Sequence, residues 1–183
     1  IYLSITSMRI TGGVLSGWSY PKGFASHVRP STDRVRESLF NLLNHRWPIS
    51  GCRVLDLFSG SGIIAGEFVS YGADEVVSVD RDFKNIQYQK EVQSKSETFE
   101  NWKIQKRNVF TFLSQNTELF DIVFADPPYD LPNIQKLPDL ILPHVKKGGL
   151  FVLEHAPQLV FPQEETLKKE YGSTTITIFV SND

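Results

Sequence analysis

The ten residues from Phe120 to Tyr129, F-D-I-V-F-A-D-P-P-Y, set three chemically useful groups side by side. Asp126 offers a carboxylate. Pro127 and Pro128 have no N–H, fix their own φ and push the preceding residue toward extended backbone, so their carbonyls have no helix to join. Tyr129 offers a flat aromatic face. A carboxylate and a nearby carbonyl can accept both hydrogens of a planar amine, and a Tyr ring can stack on a base. The plainer alternative is a strand-ending turn in which Asp126 serves as an N-cap.

A second constellation lies upstream in C-R-V-L-D-L-F-S-G-S-G, Cys52 to Gly62. Gly60 and Gly62 tolerate positive φ and let a ligand approach the backbone closely. A helix starting at Ile63 would present unpaired N–H groups there. Asp56 precedes the turn, where it could hold a cation. Asp80 ends E-V-V-S-V-D, 18 residues after Gly62. That is near the ~20-residue spacing of a carboxylate that holds ribose hydroxyls in nucleotide-binding sheets. Asn108 has an amide able to read an adenine edge, or to serve as a turn residue. A dinucleotide oxidoreductase is the obvious competitor. However, G-S-G-I-I-A lacks the third glycine of that fingerprint, although Ala65 could stand in for it. Asp56 would also repel a pyrophosphate and attract an α-amino or sulfonium group, which favours S-adenosylmethionine.

Positioning these groups requires strand ends along one edge of a sheet. The apolar runs predict strands over Cys52–Phe58, Glu75–Asp80, Trp102–Lys106, Phe120–Ala125 and Leu150–Glu154, with a closing hairpin of Thr166–Tyr171 and Thr174–Val180. Helices are predicted from Ser31 or Thr32 to Asn44, and over Ile63–Tyr71, Phe83–Ser96, Phe110–Gln115 and Asn133–His144. In the first, Val35, Leu39, Leu42 and Leu43 form the apolar stripe, and Arg34, Arg36 and Glu37 fall mostly on the other side. The alternation implies an α/β fold: a doubly wound, mostly parallel, seven-stranded sheet with a C-terminal antiparallel hairpin. Met8–Gly23 reads as a small hairpin or irregular β-arm. Its Arg9, Lys22, Trp18 and Tyr20 could clamp phosphates and stack on bases, or simply cover one end of the domain.

Composition narrows the class. The chain has 183 residues, 40% hydrophobic and 22% charged, which suits one well-buried domain over residues 8–183. No apolar run approaches the ~20 residues of a membrane span, so no membrane is expected. A single cysteine, Cys52, excludes an internal disulfide, fits a reducing cytoplasmic setting and reads as a buried, inert thiol. Four histidines show no ligand spacing, so no metal is expected. The net charge of −2 is uneven: seven Lys/Arg face two Asp/Glu in residues 1–53, and twelve face nineteen in the remainder. A basic arm on an acidic body suits a phosphate-bearing partner on one face. Ile1–Ser7 precede the only methionine and read as an expression remnant or a misplaced start, without the features of a signal peptide.

V-L-D-L-F-S-G-S-G, Asp80 and D-P-P-Y together resemble Rossmann-like methyltransferases that act on exocyclic amines. R-P-S-T-D-R-V-R-E-S-L-F-N-L-L (Arg29–Leu43) and M-R-I-T-G-G (Met8–Gly13) resemble the RsmD family in particular. That resemblance runs from Met8 nearly to the end of the chain. It implies S-adenosylmethionine-dependent methylation of a guanine N2 in small-subunit ribosomal RNA, by a monomer that meets RNA or the small subunit. It places Asp56, Ser59, Gly60 and Gly62 along the methionine part of the cofactor, Asp80 at its ribose and Asn108 at its adenine, with Phe58, Arg81 and Val109 beside them. An acidic residue is more usual in the family where Asn108 stands. Asp126 and the Pro127 carbonyl would hold the target amine next to the cofactor, braced by Pro128, with Tyr129 on the base. Arg9, Arg29 and Arg34 would meet RNA. D-P-P-Y also admits adenine-N6 and cytosine-N4 enzymes, and a non-catalytic RNA-binding or assembly protein on the same fold is the reading from another class.

Overall fold

The structure is a computed structural model that describes residues 8–24 and 32–182. The expectations for Ile1–Ser7, Arg29 and Ser31 lie outside the described residues. Seven strands form one sheet: β1 (Arg53–Leu57), β2 (Glu75–Asp80), β3 (Trp102–Lys106), β4 (Phe120–Ala125), β5 (Val145–His155), β6 (Leu167–Tyr171) and β7 (Thr174–Val180). Their spatial order is β3-β2-β1-β4-β5-β7-β6. The β3-β2-β1-β4-β5 block is parallel, and β7 runs antiparallel to both β5 and β6. Strand order reverses at β1, between β2 and β4, which opens a crevice beyond the carboxyl ends of these strands.

Both faces of the sheet are covered, so the central strands are apolar on both sides. On one face Val54, Val76, Ile122, Phe124 and Val152 pack under α1 (Asp33–Arg46), α2 (Ile63–Ser70) and α3 (Phe83–Gln93). On the other, Leu55, Val77, Val123, Ala125 and Phe151 pack under α4 (Val109–Gln115) and α5 (Leu137–Ile141). Adjacent residues of one strand divide between the two layers, as the period-2 pleat requires.

Several expected elements differ for identifiable reasons. Helix α3 stops at Gln93 rather than Ser96. Ser96 instead caps a 3-10 turn, Glu97–Phe99, that buries Phe99. The Asn133–His144 helix is broken into 3-10, α and 3-10 pieces. Pro138 and Pro143 remove N–H donors that a continuous helix needs. Strand β5 begins at Val145, five residues before Leu150, and carries Gly148-Gly149 within it at an irregularity in its pairing with β4. A Cβ on Gly149 would lie 2.6 Å from the Asp121 carbonyl, and Gly148 has φ +75°.

Two side-chain expectations, those for Arg36 and Cys52, are overturned. Arg36 is 1% exposed, not on a solvated helix face. It donates to the Arg9 carbonyl at 2.9 Å and pairs with Asp33 at 2.7 Å and Glu67 at 3.4 Å. Of the two roles open to Trp18 and Tyr20, the structure favours covering one end of the domain. The arm has one β-bridge, Arg9 to Ser19, and a 3-10 turn, Gly13–Leu15. Its Ile10 and Tyr20 are buried, and Trp18 makes edge contacts with Tyr20 and Phe99. Cys52 is half-exposed rather than buried, with Sγ donating to the Pro48 carbonyl. Desolvation followed by Asp121 raises its pKa, which disfavours the thiolate.

Candidate active site

The glycine turn is built where β1 must hand over to α2. Phe58 and Gly60 adopt φ +58° and +52°, and Gly62, the N-cap of α2, adopts +75°. A Cβ on Gly62 would meet the Trp102 ring at 2.5 Å, whereas one on Gly60 would project into open space. The two glycines therefore do different work. Gly62 admits the Trp102 ring, and Gly60 leaves its side clear for a ligand.

Three hydrogen bonds hold the turn. Ser59 N–H donates to the Val79 carbonyl at 3.1 Å and Gly62 N–H to the Ser59 carbonyl at 2.8 Å. Gly60 N–H donates to Asp80 Oδ2 at 2.8 Å. Asp80 Oδ1 accepts from Asp82 N–H at 2.8 Å and from the Asn85 amide at 3.3 Å. Asp80 is thus fixed at the turn and 8% exposed.

Gln89, which the sequence reading passed over, locks this arrangement from below. Fully buried in α3, its Nε2 donates to Ser59 Oγ at 2.9 Å and to the Gly60 carbonyl at 2.8 Å. Its Oε1 accepts from Ser78 Oγ at 2.7 Å, which in turn accepts from the Trp102 indole at 2.8 Å. A buried glutamine with all its partners satisfied sets loop geometry well. Only its spacing on the inward face of α3 could have flagged it.

Carboxylates gather at the switch point. Asp56 is 1% exposed, and its Oδ2 has no hydrogen-bond partner. Desolvation, then Asp80, pushes its pKa well above the usual carboxylate range, against a stabilising bond from Ala65 N–H. Asp126 follows the last residue of β4 and is half-buried. Its pKa is also pushed well up, first by desolvation, then by Glu154, then by Asp56. Glu154, the other group missed in the sequence, follows Leu153, which pairs with Ala125 across β4 and β5. It is buried and accepts from Thr174 Oγ1 at 3.1 Å. Crowded acids in low dielectric strain against their own ionisation, and a cation between them relieves that strain.

Beyond Asp126, the chain leaves the sheet as expected of Pro-Pro. Pro127 is buried, and its carbonyl takes part in no hydrogen bond among the described residues. The Pro128 carbonyl is used, accepting from Leu131 N–H at 3.0 Å. Tyr129 is 67% exposed, its ring available to a ligand.

The other named residues are less uniform. Asn108 is the N-cap of α4: its Oδ1 accepts from Phe110 N–H at 2.9 Å and Thr111 N–H at 3.3 Å, which leaves only its NH2 for a base. Val109 is buried beneath it. Phe58 is half-buried with an edge contact to Phe110, and Arg81 is exposed. Arg9 is tied to Asp33 at 2.7 Å, while Arg34 is exposed on α1. No group of metal-ligating residues occurs among the described residues.

A crevice at the switch point, a glycine turn with an acid after the next strand, and a D-P-P-Y tip define the Rossmann-like methyltransferase fold. Two solved structures share that fold. yhhF of Escherichia coli aligns with TM-score 0.82 and 26% identity over 96% of this chain and 98% of that one. A hypothetical protein of Thermus thermophilus aligns with TM-score 0.82 and 31% identity over 93% and 98%. The sequence matches the family described as Conserved hypothetical protein 95 over residues 8–180, and the chain belongs to it. Among curated relatives, YlbH of Bacillus subtilis is 31% identical over 182 residues, 94% of this chain and 98% of its own length. Ribosomal RNA small subunit methyltransferase D of Haemophilus influenzae is 32% identical over 171 residues, 89% and 87%.

Proposed function

We propose that this chain transfers a methyl group from S-adenosylmethionine to the exocyclic N2 of a guanine in small-subunit ribosomal RNA. One observation carries the reading: Asp126 and the unengaged Pro127 carbonyl stand at the tip of β4, next to the acid-lined glycine turn of β1. The name of the Haemophilus relative supports the substrate.

The residues present fit the cofactor. The orphaned Asp56 Oδ2 and the clear side of Gly60 suit a cationic methionine moiety, and Asp80, at the end of β2, would hold the ribose. Asn108, through its free amide NH2, and Val109 would border the adenine. When bound, the cofactor supplies an electrophilic methyl on a sulfonium sulfur.

An aromatic exocyclic amine is a weak nucleophile because its lone pair is delocalised into the ring. Asp126 and the Pro127 carbonyl each accept one of its N–H bonds, which draws the nitrogen toward tetrahedral geometry and localises the lone pair. Pro127 and Pro128 hold those acceptors still. Tyr129 stacks on the base, which must be unpaired or flipped to arrive. Asp126, ionised once a cationic cofactor lies beside it, would take the proton that the nitrogen releases on methylation and pass it to water. Positioning contributes several kcal/mol, and proton acceptance adds ~10²–10⁴-fold. The enzyme works as a monomer in the cytoplasm, without a metal.

The test is nucleoside mass analysis after incubating the protein with isotope-labelled cofactor and either naked 16S RNA or small subunits lacking the mark. Label in N2-methylguanosine is expected. Label in N6-methyladenosine would move the substrate, and no label together with no cofactor binding by calorimetry would favour a non-catalytic RNA-binding role.

A further inference from the structure

Of the cations expected to meet RNA, Arg9 is committed to an ion pair and Arg34 is exposed on α1. Arg9 and Arg36 pair with Asp33, Arg36 is buried, and Arg53 is held by Glu75 and Glu118 at the opposite end of the sheet. A different set is uncommitted. Arg81 lies in the turn after β2, Phe83 and Lys84 open α3, Lys106 ends β3 and Arg107 follows it. All four cations are exposed, and none forms an ion pair among the described residues.

They are held together by the fold. Lys106 pairs in register with Asp80, and Arg107 N–H donates to the Asp80 carbonyl at 3.0 Å. Lys106 Nζ lies 5.2 Å from the centre of the Phe83 ring. Phe83 is 54% exposed at the first position of α3. The nearest acids are occupied: Asp82 accepts from the first N–H groups of α3, and Asp80 is turned into the glycine loop.

We propose that Phe83, Lys84, Lys106 and Arg107, with Arg81 adding to their field, form an RNA-docking surface at the tip of β2 and β3. The inference rests on the methyltransferase reading for its substrate. Cations bind phosphates, and an exposed ring stacks on an unpaired base, so this mixture fits single-stranded or looped RNA. An acidic protein partner is less well served, because the patch offers only one apolar side chain to form a desolvated centre. β3 and β4 are three strand spacings apart, about 14 Å. The surface therefore holds nucleotides flanking the target, while Asp126 and Tyr129 hold the target itself.

The experiment measures binding of the full chain to naked 16S RNA over a salt series. Lys84→Gln/Lys106→Gln is expected to flatten the slope of log affinity against log salt by about 1.5. At ~0.1 M salt the affinity should fall about tenfold. Phe83→Ala should weaken binding about tenfold with little change in slope. Cofactor affinity by calorimetry should stay at the wild-type value in both variants, which also reports an intact fold. Unchanged RNA affinity and slope in the double variant would overturn the proposal. So would a loss seen only with assembled small subunits, which would assign the patch to a ribosomal protein. If wild-type protein binds RNA through this surface but methylates none, the proposed reaction fails while the docking surface stands.

Discussion

At the scale of single residues, the site is a set of carboxyl groups kept from ionising easily. Asp56 and Asp126 both have pKa values raised by desolvation first and by neighbouring acids second. Their folded values lie above the unfolded carboxylate value of ~4, so they stabilise the fold in their protonated forms. That contribution is complete below ~4 and is lost as pH rises through the folded values. Ligand-free protein should therefore lose thermal stability as pH rises above the ordinary carboxylate range. A bound sulfonium should offset the loss, so melting curves with and without cofactor should diverge with pH. Equal pH dependence in both would contradict this picture of the acids. Asp56→Asn should stabilise ligand-free protein at neutral pH by on the order of 1 kcal/mol, about 2–4 °C in Tm, while weakening cofactor binding at least tenfold. Asp126, Asp80 and the glycines were legible in the sequence because Pro and Gly mark backbone locally. Gln89 and Glu154 were not. Gln89 acts on a loop 29 residues away, and Glu154 faces Asp126 only because β4 and β5 lie side by side.

At the scale of elements, the N-terminal arm is clamped onto the cofactor turn. Tyr20 Oη donates to the Gly62 carbonyl at 2.9 Å, and a Cβ on Gly66 would lie 2.0 Å from Tyr20 Oη. Gly66→Ala should thus destabilise the protein by about 1–3 kcal/mol despite the better helix propensity of Ala. Adding Tyr20→Phe should recover part of the loss, because it removes the clashing atom; chemical denaturation of wild type, both single variants and the double variant reads the coupling. Additive losses would show that the contact does not matter. Strands β2, β3, β4 and β7 carry the boundaries their apolar runs imply. Helix ends and the 134–144 segment do not, because caps, prolines and the packing of Phe99 decide them rather than periodicity.

At the scale of the whole molecule, the arm, α1 and α2 meet at one buried charge cluster. Glu67 accepts from Thr11 N–H and Oγ1 at 2.9 Å each and pairs with Arg36. Arg36→Ala would strand Glu67 in the core and should cost about 3–5 kcal/mol, read by urea unfolding. A cost under about 1 kcal/mol would show the cluster to be dispensable. Periodicity placed Arg36 outside because it scores a charged residue as solvated; its partners come from the arm and α2, which no pattern within α1 reveals. Of the positive charge in the first 53 residues, Arg9, Arg36 and Arg53 are held in ion pairs, while Lys22, Arg34 and Arg46 stay exposed. The exposed cations at the β2–β3 tip add to them.

The central claim is that Asp126 acts on the amine of the base and not on the cofactor. Single-turnover methyl transfer by Asp126→Ala, measured with cofactor affinity on the same preparation, tests it most directly. Transfer should slow by ~10²–10⁴-fold while cofactor affinity stays within a few-fold of wild type. Near-normal transfer, or a collapse of cofactor binding that accounts for the whole loss, would contradict it.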